Sequence, residues 1–293
     1  MQKKSYFKGN LRSVKKRGDF IMASPYFIKT LINKTFSGRF FFSKLTHYPV
    51  IGRIVDYALF DGDDILYLPK DKAIPVNASV NQPESLMVPS LVADHFIREA
   101  NYHWIMDSCI CRDSARCRDY PVALGCIFLG EAAMDINPKF GRRVTSDEAL
   151  EHAVRCREAG LVHLIGRNKL DSVWLGVGPC RKLLTICNCC PCCCLWKILP
   201  VITPEIGCKV SRMPGISVCV NDKCLGCGTC KKNVCFVNAI HVENQHAVID
   251  EQACRGCGRC VETCPNNAIE VIIENSDFIN DTIRRISDVV DVT

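Results

Sequence analysis

The sequence lacks three features that would assign the protein to familiar classes. It has no glycine-rich loop of the Rossmann or P-loop type, so we expect no flavin, nicotinamide or nucleotide held by a motif in this chain. Its N-terminal residues contain no apolar secretory segment, and the most apolar stretch, residues 183–203, is interrupted by Asn188, Pro191, Lys197 and Pro200. We therefore predict a cytoplasmic chain without a membrane-spanning helix.

Acidic residues are nearly missing from residues 1–53, which hold twelve Lys or Arg and the single acid Asp19. Phenylalanines alternate with these charges, at Phe7, Phe20, Phe27, Phe36 and Phe40 to Phe42. Such a basic, aromatic arm could lie peripherally on an anionic membrane surface or an acidic partner. The alternative is a solvated extension whose aromatic rings pack on the main body. No nucleic-acid recognition motif accompanies the charge, so nucleic acid is not expected as a partner.

Cysteine is the residue in excess, with 22 in 293 positions. A chain of this length, with 48 % hydrophobic residues, can bury a core and does not need the disulfides that stabilise very small secreted domains. Reduced thiols that bind metal are therefore the expected use of these cysteines.

The segment CRGCGRCVETCP, residues 254–265, has the C-x2-C-x2-C-x3-C-P spacing of bacterial two-cluster ferredoxins. A second copy, CLGCGTCKKNVCF, covers residues 224–236, and both copies are followed by Asn-Ala-Ile. In such duplicated units the fourth cysteine of each copy ligates the other cluster. We predict two [4Fe-4S] clusters, one bound by Cys224, Cys227, Cys230 and Cys264, the other by Cys235, Cys254, Cys257 and Cys260.

The first copy departs from the pattern, because four residues separate Cys230 from Cys235 and Phe236 replaces the proline. Paired CxxC motifs also occur in zinc sites, but three cysteines at two-residue spacing with a distal fourth, present twice, favour iron–sulfur clusters. Cations beside the ligands should raise the reduction potentials above those of an acidic ferredoxin. These cations are Lys223, Lys231, Lys232, Arg255 and Arg259.

Two further cysteine segments lie N-terminal to the ferredoxin motifs. CICRDSARCRDYPVALGC contains Cys109, Cys111, Cys117 and Cys126, and TICNCCPCCCLW contains Cys187, Cys189, Cys190, Cys192, Cys193 and Cys194. We expect the two segments to meet and to bind at least one additional iron–sulfur cluster. Neighbouring residues project differently, so one cluster would take alternate members, such as Cys187 with Cys190 or Cys189 with Cys192. The surplus thiols would bind a second or larger cluster, or would be buried without a metal.

Other candidate ligands are weaker. Cys156, Cys180, Cys208 and Cys219 are isolated, and we expect them to be structural. His95, His103 and His163 could supply a ligand, but cysteine is already in excess, so hydrogen-bonded structural histidines are favoured. No acid–base pair identifies a catalytic residue.

Local patterns predict an α+β fold, with a mainly helical N-terminal cysteine-rich domain followed by a bacterial-type two-cluster ferredoxin domain. Helices are expected at 24–38, 90–107 and 121–135, from the Thr145 to Glu148 capping box to Gly160, and after Asn275, with a strand and turn in ILYLPKDKAIPV. Residues 182–215 have few regular signals. The expected divisions are an arm, 1–53; a cysteine-rich domain, 54–214; the ferredoxin domain, 215–274; and a terminal amphipathic helix, 275–293.

The segments YLPKDK, YHWIMDSCICRD, GCIFLGEAA, GLVHLIGRNKLD and TICNCCPCCCLW, together with the paired ferredoxin motifs, resemble a group of 4Fe-4S dicluster-domain proteins of anaerobic bacteria and archaea. The resemblance extends over roughly residues 65–274. It implies iron–sulfur binding, anaerobic redox metabolism, and a role as an electron carrier or a component of a redox complex. It implies no particular substrate.

The sequence leaves two main functions open. The favoured one is a multi-cluster protein that passes single electrons to or from a partner oxidoreductase, because no acid–base pair or organic-cofactor motif is present. The alternative is an iron–sulfur reductase in which the N-terminal cluster reduces a disulfide or another small two-electron acceptor, which the surplus of thiols would favour. A third possibility is a docking module that uses metal only to fold.

Overall fold

The computed structural model describes residues 25–74 and 89–293. The helices α1 to α10 are Pro25–Thr35, Arg39–Lys44, Pro49–Leu59, Ser90–Glu99, Ile110–Ala115, Ser146–Glu158, Lys169–Leu175, Pro204–Gly207, Arg259–Thr263 and Phe278–Val289. The strands β1 to β11 are Asp64–Tyr67, His103–Met106, Ile127–Leu129, Gly141–Val144, Val162–Arg167, Leu184–Cys189, Val210–Arg212, Ile216–Val220, Ile240–Glu243, His246–Ile249 and Ile269–Ile273. The predicted mixture of helix and strand is confirmed. Phe7 and Phe20 of the arm lie outside the described residues.

Seven strands form one sheet in the order β4-β2-β3-β6-β5-β1-β7. Every neighbouring pair is antiparallel except β1 and β7, which are parallel. The remaining strands form two small antiparallel pairs, β8 with β11 and β9 with β10. The expectation of a mainly helical N-terminal domain was therefore wrong about its centre, which is a sheet with helices packed on it.

The helix expected over 90–107 ends at Glu99, and residues 103–106 instead form β2 in the sheet. Ala100 adopts an extended conformation, and its amide still donates to the Phe96 carbonyl, which closes the helix. Trp104, which was expected to lie in this helix, instead packs with Phe128. The apolar spacing suited one long helix, but Trp104 and Ile105 favour a strand. The strand that contains them pairs with neighbours on both sides.

The helix expected over 121–135 is also replaced, by β3 and a short 3₁₀ turn at Glu131–Asp135. Gly125 explains the change, since a Cβ there would lie 2.3 Å from the Met106 carbonyl oxygen. The backbone at Gly125 thus lies against the end of β2 at a distance that only glycine allows.

Residues 182–215, expected to be irregular, contain β6 at the middle of the sheet. Its side chains alternate in direction, as they must in a strand. Leu184 and Ile186 join the core beneath one face, while Cys187 and Cys189 pack on the opposite face with Leu164.

Other local predictions are confirmed. Helix α1 and the following 3₁₀ turn, Phe36–Gly38, occupy the expected arm helix. The Thr145 hydroxyl accepts from the Glu148 amide at 3.2 Å, and the Glu148 carboxylate accepts from the Thr145 amide at 2.9 Å, which completes the capping box. Helix α10 buries Phe278 and Ile286 against the main core, so it has the amphipathic character expected.

The ferredoxin segment packs directly on the sheet domain. A Cβ on Gly258 would lie 2.5 Å from the Ala73 Cβ, and the Lys70 amide donates to the Cys257 carbonyl at 3.2 Å. The Arg259 guanidinium donates to the Gly160 carbonyl at 2.8 Å. The second ferredoxin motif is therefore fixed against the YLPKDK segment and the end of α6. Within the described residues, no helix has both the length and the apolar character needed to cross a membrane.

Asp63, before β1, provides a test of the packing between β1 and α7. It is buried, and one carboxylate oxygen accepts from the Lys169 amide at 2.6 Å while the other has no partner. Burial raises its pKa from 3.8 to about 7, against the opposing effect of the Lys169 amide. The unfolded carboxyl ionises near pH 4, so Asp63 stabilises the fold most below that pH and its contribution is lost as pH rises to about 7.

We expect Asp63→Asn to remove this dependence. Relative to the variant, the wild-type free energy of unfolding should fall by up to about 1.4 kcal/mol per pH unit between about pH 4 and pH 7. Denaturant unfolding of both proteins across this range measures the difference. Parallel profiles would show that Asp63 ionises normally in the folded protein.

Candidate functional site

The eight ferredoxin-motif thiols line two separate cavities. One is lined by Cys224, Cys227, Cys230 and Cys264. The other is lined by Cys235, Cys254, Cys257 and Cys260. The structure thus groups these thiols in the two sets expected from exchange of the fourth cysteine.

The repeated Asn-Ala-Ile segments have a structural purpose at these sites. The Ala239 amide donates to the Cys235 sulfur at 3.3 Å, and the Ala268 amide donates to the Cys264 sulfur at the same distance. The asparagine before each alanine, Asn238 or Asn267, has a positive φ near 50°, which turns the amide back towards the sulfur. Amide donors of this kind stabilise thiolate charge and influence cluster potential.

The irregular first motif gives its fourth cysteine the same kind of amide contact as the second motif does. The extra residue between Cys230 and Cys235 is accommodated where Asn233 adopts a φ of 54°. Phe236, in place of proline, is buried and packs edge-on against Tyr67 with ring centroids 5.5 Å apart. The departures from the sequence pattern therefore place an aromatic ring between the ferredoxin segment and the sheet.

Two of the cations expected near the clusters also hold the segments together. The Arg255 guanidinium donates to the Ala253 carbonyl at 2.6 Å and to the Gly207 carbonyl at 3.4 Å. Arg259 donates to the Tyr120 hydroxyl at 3.2 Å as well as to Gly160. Their positive charges are thus fixed in place beside the second set of thiols.

The two N-terminal cysteine segments meet, and their thiols fall into two groups. One group, the compact thiols, consists of Cys117, Cys190, Cys192 and Cys193, whose sulfurs all lie within 4.8 Å of one another. The Cys117 and Cys192 sulfurs are 3.5 Å apart. Cys190 and Cys193 are buried beside Cys156 of α6. Of the pairs expected from the sequence, Cys187 and Cys190 line the same cavity, whereas Cys189 lies at that cavity and Cys192 does not line it.

The other group, the cavity thiols, surrounds a cavity of about 330 Å³ among the described residues. The group consists of Cys109, Cys111, Cys126, Cys187, Cys189 and Cys194, and Cys190 of the compact thiols also borders the cavity. The Cys126 and Cys187 sulfurs are 3.8 Å apart, and those of Cys189 and Cys194 are 3.2 Å apart. A single water needs only about 15 Å³ of such space, so the cavity suits a polyatomic group.

The pKa values of neighbouring thiols at the cavity depend on one another. A hydrogen bond from Cys111 lowers the pKa of Cys109 to about 6, against the effect of burial. The same bond, burial and the nearby charges of Cys194 and Cys189 raise the pKa of Cys111 well above its ordinary range. Adjacent thiols that cannot all ionise alone can do so when they share a bound cation or cluster.

Arg112 is fully buried, lines the cavity, and interacts electrostatically with thiols of both groups. Its guanidinium donates to the Pro121 carbonyl at 2.9 Å, to the Asn188 carbonyl at 2.7 Å, and to the Leu124 carbonyl. Burial alone would lower its pKa, but the negative charges of Cys109, Cys190 and other thiolates raise it. One buried cation thus ties the CICR segment to β6 and offsets thiolate charge.

The histidines are used as structural groups. The His103 ring nitrogen Nε2 donates to the Ile97 carbonyl at 2.6 Å. His163 Nδ1 donates to the Asn188 side-chain oxygen at 2.7 Å. The side-chain nitrogen of Asn188 donates in turn to the Gly125 carbonyl, also at 2.7 Å. Burial lowers the pKa of His163 to about 4. His163 therefore supports the turn that carries the thiols, in line with the structural role expected from the sequence.

The four isolated cysteines join neither group. Cys156 is fully buried, and burial raises the pKa of its thiol to about 12. Cys180 and Cys219 are partly buried, and Cys208 is exposed with its sulfur donating to the Glu205 carbonyl at 3.2 Å.

Tyr67 connects the cavity thiols with the second set of ferredoxin thiols, and its role was not foreseen from the sequence. It is fully buried, and its hydroxyl has no hydrogen-bond partner. Burial raises its pKa most, followed by the charges of Cys194, Cys189 and Cys257. Tyr67 thus lies within electrostatic range of thiols on both sides of the interface. The only signal in the sequence was its place in YLPKDK.

Comparison with known proteins supports the ferredoxin assignment. Residues 247–270 match the family described as the 4Fe-4S binding domain. Over 48 residues the chain is 46 % identical to a component of the ion-translocating oxidoreductase complex of Methanosarcina acetivorans, which covers 16 % of this chain and 18 % of that protein. Over 72 residues it is 47 % identical to a component of the Na(+)-translocating ferredoxin:NAD(+) oxidoreductase complex of Acetobacterium woodii, with coverages of 22 % and 21 %.

The chain spans about a fifth of the length of these curated relatives. No solved structure matches it. The iron–sulfur character expected from the sequence and from the resemblance is confirmed: the chain carries a ferredoxin-type segment that binds [4Fe-4S].

Arg112 offers a direct test of the site's construction. We expect Arg112→Met to lower the free energy of unfolding by on the order of 3 kcal/mol or more, because three buried carbonyls lose their donor. The exposed neighbour Arg118 provides the control, and Arg118→Met should cost less than about 0.5 kcal/mol. Anaerobic denaturant unfolding of both variants measures this, and equal stabilities would show that Arg112 does not hold the segments together.

Proposed function

We propose that the protein is an iron–sulfur electron-transfer protein with two ferredoxin-type [4Fe-4S] clusters and at least one further cluster at the cavity thiols. It passes single electrons to or from a partner oxidoreductase. The clusters of the ferredoxin segment, 215–274, use the two sets of four cysteines described above. The further cluster belongs to a cysteine-rich domain, 54–214, and the terminal helix, 275–293, holds the two parts together.

The observation that carries this proposal is a shared apolar core between the two thiol regions. Cys189 and Cys194 of the cavity pack in the same buried cluster as Tyr67 and Phe236, against which Cys254 and Cys257 also lie. Redox centres at these thiols would be separated by packed side chains and not by solvent. A hydrophobic shell also limits water access to each centre and sets its potential.

The named roles of the relatives support a partner of the same kind. Both are named as components of an oxidoreductase complex, and one name specifies ferredoxin and NAD(+). We infer that this chain also works within, or together with, an oxidoreductase complex, and that its ferredoxin segment is the part that exchanges electrons there.

Iron content tests the proposal. Anaerobically purified wild-type protein should contain more than the about eight iron atoms that two [4Fe-4S] clusters require, with matching sulfide. The double variant Cys126→Ser, Cys187→Ser should fall to about eight irons and keep the reduced signals of the ferredoxin clusters. Cys208→Ser, at an exposed and isolated thiol, serves as the control and should keep all of the iron.

Electron transfer itself is followed in a second variant. Cys260→Ser should disrupt the cluster next to Tyr67 and slow the arrival of electrons from a ferredoxin-type reductant at the N-terminal cluster, as seen by freeze-quench EPR. Cys219→Ser should leave the rate unchanged. Wild-type protein with only about eight irons after reconstitution would remove the N-terminal cluster from the proposal.

The cavity favours a second candidate function, the reduction of a small acceptor. Its walls combine the cavity thiols with Phe36, Phe42, Val55, Leu59 and Trp174. A disulfide bound there would take two electrons and two protons and leave as two thiols. Reduced wild-type protein would then be reoxidised by a disulfide in proportion to the acceptor added, whereas a pure carrier would be reoxidised only by a redox partner.

We also propose that the described part of the arm, together with the rest of α3, is a peripheral contact surface for anionic lipid. Phe36 is buried, but nearby side chains remain exposed, among them Phe41, Val50, Ile54 and Tyr57 at 62–75 %. Lys34, Arg39, Lys44 and Arg53 add positive charge to the same segment. Exposed aromatic and aliphatic groups among cations suit an interfacial, peripheral association.

Substitution of exposed apolar groups tests this surface without disturbing the cavity. We expect Val50→Ser, Ile54→Ser and Tyr57→Ser together to reduce binding to phosphatidylserine vesicles by about tenfold or more, because less apolar surface is buried on binding. Wild-type binding should also weaken as salt is added. Ile272→Ser, at an exposed residue of β11, is the control. Unchanged binding by the triple variant would make the segment a packing element only.

A further inference from the structure

The compact thiols have the spacing of ligands to one metal ion. A structural zinc site holds four sulfurs at about 2.3 Å from the ion, and the edges of that tetrahedron are about 3.8 Å. The sulfurs of Cys117, Cys190, Cys192 and Cys193 all lie within 4.8 Å of one another, and Cys117 and Cys192 are 3.5 Å apart. These separations are close to the edge length of a tetrahedral four-thiolate site.

An iron–sulfur cube makes a different demand. Each of its four thiolates binds a different iron and projects outward from it, so the thiolates lie farther apart than the irons themselves. The ferredoxin motifs supply an internal reference, because within the described residues their thiols form no group as compact as this one. Two kinds of cysteine site are thus present in one chain.

The surroundings also suit a closed, single-ion site. The compact thiols pack with Cys156 and Leu161 in a small apolar cluster, with Tyr120 and Leu124 at its edge. Arg112 lines the 330 Å³ cavity, and Cys190 is the compact thiol that borders it. Four thiolates around a divalent ion leave a net negative charge, and the buried Arg112 guanidinium lies beside it.

We propose that Cys117, Cys190, Cys192 and Cys193 bind one zinc ion, separate from every iron–sulfur cluster of the protein. The ion joins the residue that follows α5 to the turn that follows β6. Zinc has no redox chemistry and holds a fixed tetrahedron, so it would keep these two segments in register while the neighbouring centres change oxidation state. The site goes beyond the electron-transfer function and does not depend on it.

Metal analysis of the full chain, purified anaerobically and reconstituted with iron and sulfide, tests the proposal. We expect about one zinc per chain that persists after reconstitution, and a zinc K-edge spectrum of the wild-type protein with four sulfur neighbours at about 2.3 Å. Cys117→Ser and Cys192→Ser should lose the zinc and keep the iron and sulfide. Cys156→Ser, buried in the same apolar cluster, is the matched control and should keep both metals.

Retained iron in the Cys117 and Cys192 variants shows that they are folded, so their loss of zinc would report the site itself. Wild-type protein without zinc, zinc bound through nitrogen or oxygen, or iron lost from these two variants would overturn the assignment. If the variants do not yield folded protein, the wild-type zinc content and K-edge spectrum decide the question. A wild-type chain with one sulfur-bound zinc and only about eight irons would support the zinc site and refute the additional cluster.

Discussion

The buried guanidinium of Arg112 is the interaction on which the N-terminal site depends. Its three donor nitrogens reach carbonyls of Pro121, Leu124 and Asn188, which belong to two segments far apart in sequence. A buried cation is costly unless its hydrogen bonds are complete and opposite charge is near. Here the carbonyls complete the bonds and the thiolates supply the charge. Arg112 thus positions the thiols and offsets the repulsion among them.

Strand geometry then distributes the thiols that Arg112 brings together. Within β6, Cys187 and Cys189 face the cavity while the side chain of Asn188 turns to the opposite face and bonds His163. After the strand, the chain turns and places Cys190, Cys192 and Cys193 beside Cys117. The strand and the turn thus divide this run of adjacent cysteines between the cavity and the compact thiols.

The ferredoxin segment is in direct contact with the sheet that carries Cys187 and Cys189. Tyr67 and Phe236 fill the interface, and the close approach of Gly258 to Ala73 leaves no room for a larger side chain. Arg259 adds a hydrogen bond to Gly160. Cys189 and Cys194 share one buried apolar cluster with these two rings, and Cys254 and Cys257 pack against it.

The sequence by itself determined the iron–sulfur character of the C-terminal segment, because cluster ligation demands fixed local cysteine spacing, and it determined the capping box and the amphipathic α10. It could not determine the sheet. The local pattern placed Trp104 in a helix and Cys187 in an irregular segment, and only pairing between strands distant in sequence makes them part of β2 and β6. The division of the N-terminal thiols was likewise decided by tertiary structure. Cys117 meets Cys192 across 75 residues because β6 and α5 are held together by the long-range contacts of Arg112, which leave no mark in either segment alone.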